Sequence, residues 1–346
     1  MTETETPVPI VDFRLFLNGD KAEKETVARQ IDEAFRDVGF VYLKNHGVAQ
    51  DMVEQCFEWS KTFFALPLPT KLLAPHPPGG SHHRGYSSPG LENVTQHTYD
   101  EAELSTLRKT TPDFKESFES GNTTDASQPN IWPPDTALPG FRTFMEAFFP
   151  HCATLIHHLL SALSVALGVP DLAPTHAQSL FQLRLLHYPP IAVEQLREGR
   201  KRINAHSDFG TLTLLWQDGV GGLEIQDPRE EGRWREVRPL EGGVLVNVGD
   251  LLERWSNGRW RSTVHRVGLP PAKGVREERE GGKGNGGEGE KVVGDRYSIP
   301  FFATADPETV IEALPGCWVE GREETKRFEK VTAEGYVRMR MAALYE

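Results

Sequence analysis

The chain has 346 residues, 38% hydrophobic and 25% charged, with a formal net charge of -12 at pH 7. This is an ordinary globular composition, and at about 150 residues per domain it fits two domains or one large decorated one. The acidic balance argues against unspecific binding to nucleic acid or anionic membranes, and three distant cysteines, Cys56, Cys152 and Cys317, exclude a disulfide framework.

The polar, acidic start Met1-Thr-Glu-Thr-Glu-Thr6 has no signal- or transit-peptide character. Pro7–Asp12 reads as a short strand. Apolar residues at helical spacing (Val27, Ile31, Ala34, Phe35, Val38) predict a helix over about Lys24–Val38, closed by Gly39 as a glycine C-cap. Phe40–Leu43 reads as a strand and Asp51–Phe64 as a helix with Asp51 as N-cap. Residues 67–100, rich in Pro, Gly, Ser and His, read as a long loop. Phe141–Leu167 reads as one long helix or two interrupted at Pro150, and its most apolar stretch, Leu159–Val169, is about half of what a bilayer requires. A cytoplasmic protein without a membrane or nucleic-acid partner is the expectation.

After Pro174 the texture changes. Short apolar runs recur between turn signals at Phe181–Leu186, Thr211–Trp216, Gly222–Ile225, Val244–Val248, Ser262–Val267 and Arg296–Phe302. Such spacing predicts an all-β sandwich or barrel. Gly274–Gly294, nearly all Gly, Glu, Lys and Arg, reads as a flexible insertion between two strands. Thr325–Leu344 reads as a final helix. The implied division is 1–173, 174–305 and 306–346.

Two patterns carry chemistry. In a strand, residues two apart share a face, so His206-Ser-Asp208 can present an imidazole and a carboxylate to one ion. His265, on a later candidate strand, supplies a third donor; two His and one carboxylate leave three positions of octahedral iron open. A His-x-Asp pair alone carries little weight in a chain with twelve histidines; its place before the apolar run Phe209–Leu215 adds to it. Arg296-Tyr-Ser298 places a guanidinium and a hydroxyl on one face of an apolar strand. A buried Arg there requires an anion, and a small dicarboxylate fits.

His206-x-Asp208, His265 and Arg296-x-Ser298 together resemble the iron(II)- and 2-oxoglutarate-dependent dioxygenases of the isopenicillin N synthase-like family. The likeness extends along nearly the whole chain: Val8–Asp12, Ala34–Val48, Arg84-Gly-Tyr86, Asp113–Phe118, Leu183–Pro190, His206–Leu215, Asn247–Asp250, Trp255–Asn257 and Ser262–Arg266. Within the family it is most similar to fungal members such as thymine hydroxylase and oxygenases of specialised metabolism. The resemblance implies a mainly β fold with helical additions. Its parts would be a double-stranded β-helix (jelly-roll) core, a helical N-terminal region and a C-terminal helix.

By the same resemblance His206, Asp208 and His265 would bind Fe(2+). Arg296, Ser298 and Tyr188 would bind 2-oxoglutarate, O2 would be the oxidant, and ascorbate would help in vitro. Leu186 departs from many plant members, which carry Asn two residues before the tyrosine. Phe209, Phe302, Arg184 and Tyr86 would line the pocket of a small-molecule substrate, in a monomer or simple homo-oligomer; the alternatives are that Phe209 and Phe302 are core aromatics and that Arg184 pairs with a structural carboxylate. As ordinary residues we read Trp255 and Trp260 (core), His157 and His158 (on a helix, no metal site), and His82 and His83 (solvated in the long loop, the alternative being a place near the pocket mouth). Two rivals remain at this level. One is an isopenicillin N synthase-type oxidase that dispenses with 2-oxoglutarate; the other is a catalytically silent binding protein of the same fold.

Overall fold

The computed structural model describes residues 6–78, 82–91, 113–198, 200–230, 232–271, 274–278 and 290–345. The start of the chain, parts of the expected 67–100 loop and the middle of the Gly274–Gly294 insertion lie outside them. The chain begins β1 (Ile10–Asp12), α1 (Arg14–Asn18), α2 (Lys21–Asp37), β2 (Phe40–Lys44), α3 (Gln50–Phe64), α4 (Leu68–Lys71), β3 (Gly85–Ser87), β4 (Glu116–Gly121) and α5 (Phe141–Leu167). There follow β5 (Gln182–Tyr188), β6 (Ile191–Ala192), α6 (Val193–Arg197), β7 (Ile203–His206), β8 (Leu212–Gln217), β9 (Leu223–Gln226), β10 (Trp234–Glu236) and β11 (Gly243–Val248). The last part contains α7 (Asp250–Trp255), β12 (His265–Val267), β13 (Val275–Glu278), β14 (Glu290–Val293), β15 (Arg296–Ala303), β16 (Val310–Ile311), β17 (Val331–Thr332) and α8 (Ala333–Tyr345).

An eight-stranded sheet runs β1-β2-β11-β8-β15-β5-β4-β3, and a four-stranded sheet runs β10-β9-β12-β7. Strands from both sides of residue 174 share the larger sheet. Its side chains alternate strictly, as a pleated sheet buried on two faces requires. Val244, Val246, Leu212, Leu214, Trp216, Ile299, Phe301, Leu183, Leu185 and Phe118 pack into one core with α2, α3 and α5. The other face contributes Phe40, Tyr42, Leu245, Leu186 and Tyr188 to a second core, with Ile203, Leu223, Ile225 and Val267 of the smaller sheet. The two sheets enclose this second core as a jelly roll.

Local signals explain most elements. Helix α2 starts earlier than its apolar spacing indicates, because Asp20 and Glu23 form a capping box. Gly39 follows its end at φ 77°, the left-handed conformation of a glycine C-cap, and a side chain there would overlap the Arg261 carbonyl. Asp51 is not the N-cap of α3: Ala49 is, and Asp51 sits in the first turn. Helix α5 runs unbroken through Pro150. By length and composition alone it could cross a membrane, yet most of it is buried within the protein. The 67–100 stretch contains α4 and β3 rather than loop alone. The ends of the insertion pair antiparallel as β13 and β14, which join β6. The final helix is shorter than expected, starting at Ala333.

Between the helices and the larger sheet sits a buried polar knot. Glu116 Oε2 accepts from Lys71 Nζ at 2.7 Å and from the Tyr86 hydroxyl, while Oε1 faces His187 Nδ1 at 2.7 Å. Burial raises the Glu116 carboxyl, but His187, Lys71 and Tyr86 outweigh it and hold the group below its usual range. Glu116→Leu therefore strands the Lys71 charge, and urea denaturation is expected to show a loss of about 3–5 kcal/mol. Because the folded carboxyl is depressed, this contribution is complete above the usual carboxylate range. It disappears as pH falls through the folded value, so the wild-type advantage over the variant shrinks in acid.

Candidate active site

Three donors meet where the two sheets face each other. Strands β7 and β12 are antiparallel, with His206 directly opposite His265. Their ring centroids are 4.2 Å apart. Asp208 Oδ1 lies 3.8 Å from His206 Nε2 and 3.7 Å from His265 Nε2. Asp208 is not on the strand, which ends at His206; it sits in the turn that follows. That turn is held tightly. The Asp208 carbonyl accepts from the Asp250 N–H at 2.8 Å, and a side chain on Gly210 would overlap the Ala303 carbonyl oxygen. From α8, Arg340 bonds Asp250, reaches Ser207 Oγ at 3.5 Å, and covers the Phe209 ring at 4.3 Å.

Each donor is oriented by a second bond. His206 Nδ1 donates to the Asn204 carbonyl at 2.8 Å and His265 Nδ1 to the Thr263 carbonyl at 3.2 Å. A carbonyl only accepts, so both rings carry their proton on Nδ1 and turn an Nε2 lone pair inward. Asp208 Oδ2 accepts from Thr213 Oγ1 at 2.6 Å and Asn247 Nδ2 at 2.7 Å, which reserves Oδ1 for the centre. Burial, then the neighbouring His265, pushes the His206 imidazole well below its ordinary value. Burial raises Asp208, but the two histidines, Asn247 and Thr213 bring it below the usual carboxylate range. The set offers two imidazole Nε2 atoms and a carboxylate oxygen, the donors a divalent ion such as iron(II) accepts while keeping positions open.

Beside it lies a concentration of buried positive charge. Arg296 and Arg202 are both 0% exposed. Arg296 Nε donates to the Gly221 carbonyl at 3.0 Å, Nη2 to Gln217 Oε1 at 3.0 Å and Nη1 to Ser298 Oγ at 3.3 Å. Its guanidinium lies 4.6 Å from the centre of the Tyr188 ring, its cross-strand partner, and Tyr188 Oη is 3.4 Å from Ser298 Oγ. Arg202 approaches the same ring at 5.9 Å and donates through Nη2 to the Pro189 and Gly294 carbonyls. Its Nε and Nη1 are buried with no hydrogen-bond partner among the described residues. Burial, and next the Arg296 charge, pushes Arg202 down to about 10. Among the described residues no carboxylate forms an ion pair with either arginine, so a pocket of this charge fits a dianion. No motif in the sequence marks Arg202.

The remaining expected residues separate. Arg184 and Phe302 share the inner face of the larger sheet, the guanidinium 5.6 Å from the ring centre. Phe209 is half-buried in the turn after Asp208. Leu186 stands opposite Ser298 and adds an apolar wall. Tyr86 lies on the other face of the sheet, packed on Phe63 with its hydroxyl on Glu116, so the structure does not bring it to the metal donors. Trp255 and Trp260 are buried, and His157 meets Ser179 Oγ. His83, read as solvated, is buried instead. Removing the bonds behind the carboxylate checks the metal geometry: Thr213→Val and Asn247→Ala are each expected to weaken iron(II) or cobalt(II) binding about 10–100-fold in anaerobic titrations.

Known proteins share these features. Residues 8–135 match the family described as non-haem dioxygenase in morphine synthesis N-terminal, and residues 180–305 match the 2OG-Fe(II) oxygenase superfamily. The chain is 38% identical to proline hydroxylase buaE of Petromyces alliaceus, over 97% of this chain and 98% of the relative. It is 37% identical to the 2-oxoglutarate-dependent dioxygenase frbA of Dothideomycetidae sp. (strain 11243), over 89% and 88%. The crystal structure of full-length Neurospora crassa thymine hydroxylase in complex with alpha-KG and thymine superimposes with a TM-score of 0.82 at 36% identity, covering 99% and 98%. With relatives so named along its whole length, the chain belongs to the 2OG-Fe(II) oxygenase superfamily and is an iron(II)- and 2-oxoglutarate-dependent oxygenase.

Proposed function

We propose that this oxygenase hydroxylates a C–H bond of a compact organic molecule of fungal-type specialised metabolism, with iron held by His206, Asp208 and His265. The distal carboxylate of 2-oxoglutarate would rest on Arg296, Ser298 and Tyr188. The observation that carries the assignment is a set of three pre-oriented metal donors in a fold that also buries two guanidinium groups to which no described carboxylate is ion-paired. When bound, iron and 2-oxoglutarate supply the oxidising chemistry: R–H, O2 and 2-oxoglutarate become R–OH, succinate and carbon dioxide.

The protein's residues bind and orient. Thr213 and Asn247 keep Asp208 Oδ1 aimed at the metal, and the two Nδ1–H bonds fix the imidazoles. Arg296 and Ser298 hold the dicarboxylate, and Arg202 adds charge behind Tyr188. Leu186, Phe209 and Phe302 keep water away from the reacting carbon. No side chain in this scheme needs to act as a general base. Relatives named for proline hydroxylation and crystallised with thymine support a small, compact substrate. We place the enzyme in the cytoplasm on its three free cysteines and take it to act without a nucleic-acid or membrane partner.

Succinate release from anaerobically purified protein given iron(II), ascorbate, 2-oxoglutarate, oxygen and a substrate panel tests the proposal. Stimulation by a panel member is expected, with none in His206→Ala. Arg296→Met removes one partner of a buried charge pair, a loss of about 2–5 kcal/mol, so KM for 2-oxoglutarate should rise about thirtyfold or more. Substrate oxidation with no need for 2-oxoglutarate would instead favour the oxidase alternative.

Arg202 gives a measurement of opposite sign. Arg202→Met removes a buried charge to which no described carboxylate is ion-paired, so the ligand-free protein should melt higher than wild type. The stabilisation by 2-oxoglutarate, about 2.7 kcal/mol at a hundredfold excess over Kd in wild type, should shrink.

A further inference from the structure

The guanidinium of Arg296 sits in a cradle of neutral oxygens. Its bonds to described residues go to the Gly221 carbonyl, the Gln217 side-chain carbonyl and the Ser298 hydroxyl. Gln217 ends β8 and stands directly opposite Ser298 on β15. Asp218, the next residue, is turned to the backbone instead. Its Oδ2 accepts from the Tyr297 N–H at 2.5 Å and its Oδ1 from the Val220 N–H at 3.0 Å.

The bonds around Gln217 run in one direction. The Arg238 carbonyl can only accept, so the Tyr42 hydroxyl donates to it at 2.7 Å. Tyr42 Oη is then left to accept from Gln217 Nε2 at 3.4 Å, which turns Gln217 Oε1 toward Arg296 Nη2 at 3.0 Å. Burial pushes the Tyr42 hydroxyl above its usual range, so it keeps the proton that this chain of bonds requires. The amide orientation is therefore set from behind, by groups that do not reach the guanidinium themselves.

A guanidinium held by neutral acceptors keeps its whole charge. Each terminal nitrogen also keeps one N–H beyond its bond to Gln217 or Ser298, and a carboxylate can take two such N–H groups at once. A carboxylate in place of the Gln217 amide would supply the counter-charge from within the fold. A ligand's own carboxylate would then meet a site already neutralised.

We propose that Gln217 selects a dicarboxylate cosubstrate: its neutral amide positions Arg296 and leaves the guanidinium charge for the distal carboxylate. This rests on the placement of 2-oxoglutarate at Arg296 given above and names the residue that makes that placement charge-selective. Gln217 acts through Arg296, as a positioning residue.

The test is anaerobic calorimetry on the full-length protein loaded with iron(II). The titrants are 2-oxoglutarate and 2-oxopentanoate, which keeps the keto acid and the chain length but ends in a methyl group. The quantity read is the ratio of the two Kd values. Wild type is expected to favour 2-oxoglutarate about thirtyfold or more. Gln217→Glu should cut that ratio about tenfold or more, by weakening 2-oxoglutarate and not 2-oxopentanoate. Gln217→Met removes the bond and adds no charge. It should weaken 2-oxoglutarate about two- to tenfold and keep a ratio above that of Gln217→Glu. A merely structural role for Gln217 would lower both affinities together and leave the ratio unchanged.

The proposal is overturned if wild type discriminates and Gln217→Glu keeps the wild-type ratio. It is overturned equally if Gln217→Met lowers the ratio as far as Gln217→Glu does. Should Gln217→Glu not fold, an unchanged affinity for 2-oxoglutarate in Gln217→Met overturns it as well. If wild type itself binds both acids alike, the placement of the distal carboxylate on Arg296 fails, and this inference with it.

Discussion

The antiparallel pairing of β7 with β12 is the constraint on which the site depends. It sets His206 against His265 across two backbones, so their separation is fixed by strand geometry and not by loop conformation. The third donor, Asp208, lies in a turn and has no such fixture of its own. The molecule supplies one from several directions. Thr213 and Asn247 hold the carboxylate from the larger sheet, the first turn of α7 takes the Asp208 carbonyl, and Arg340 of α8 braces the same turn. Helical additions that are distant in sequence thus serve one short segment.

The larger sheet divides its labour by face. Toward the helices its side chains are mostly apolar, the Glu116–His187 knot of β4 and β5 apart, and this face supplies most of the burial that makes the fold stable. Toward the smaller sheet the same strands alternate into Arg296, Ser298, Gln217, Arg184, Glu119, Thr213 and Asn247. A core designed only for stability would not place there Arg296, to which no described carboxylate is ion-paired, and an Arg–Glu pair. Local consistency gives way where binding requires it. The neighbouring apolar residues Leu186, Tyr188, Leu245 and Ile225 keep that face dry enough for charge to matter.

How much of this was legible in the sequence depended on how local the cause was. Strands β8, β11 and β15 announce themselves because their outward residues are apolar, and Gly39 marks the end of α2 because no other residue tolerates its backbone there. The metal donors and Arg296-x-Ser298 were legible as short spacings plus a family resemblance. Strand β4 was not, because Glu116-Ser-Phe-Glu-Ser-Gly121 is polar on both faces. It is buried only because Lys71, His187, His83 and Arg184 arrive from elsewhere. For the same reason His83 read as solvated, Tyr86 read as a pocket residue, and Arg202 was not singled out. Tyr86 takes its partner from 30 residues away, His83 lies against Glu119 of β4, and Arg202 bonds carbonyls 13 and 92 residues away.

The arginine pair has a consequence for the life of the protein in a cell. A chain that carries two buried charges without a counter-ion spends more time partly open than one that is neutralised, and quality-control proteases act on such openings. Its abundance would then follow the supply of the dicarboxylate, a central product of carbon and nitrogen metabolism. Copies made while that supply is low would be cleared early, so the amount of enzyme, and not only its rate, would record the nutritional state.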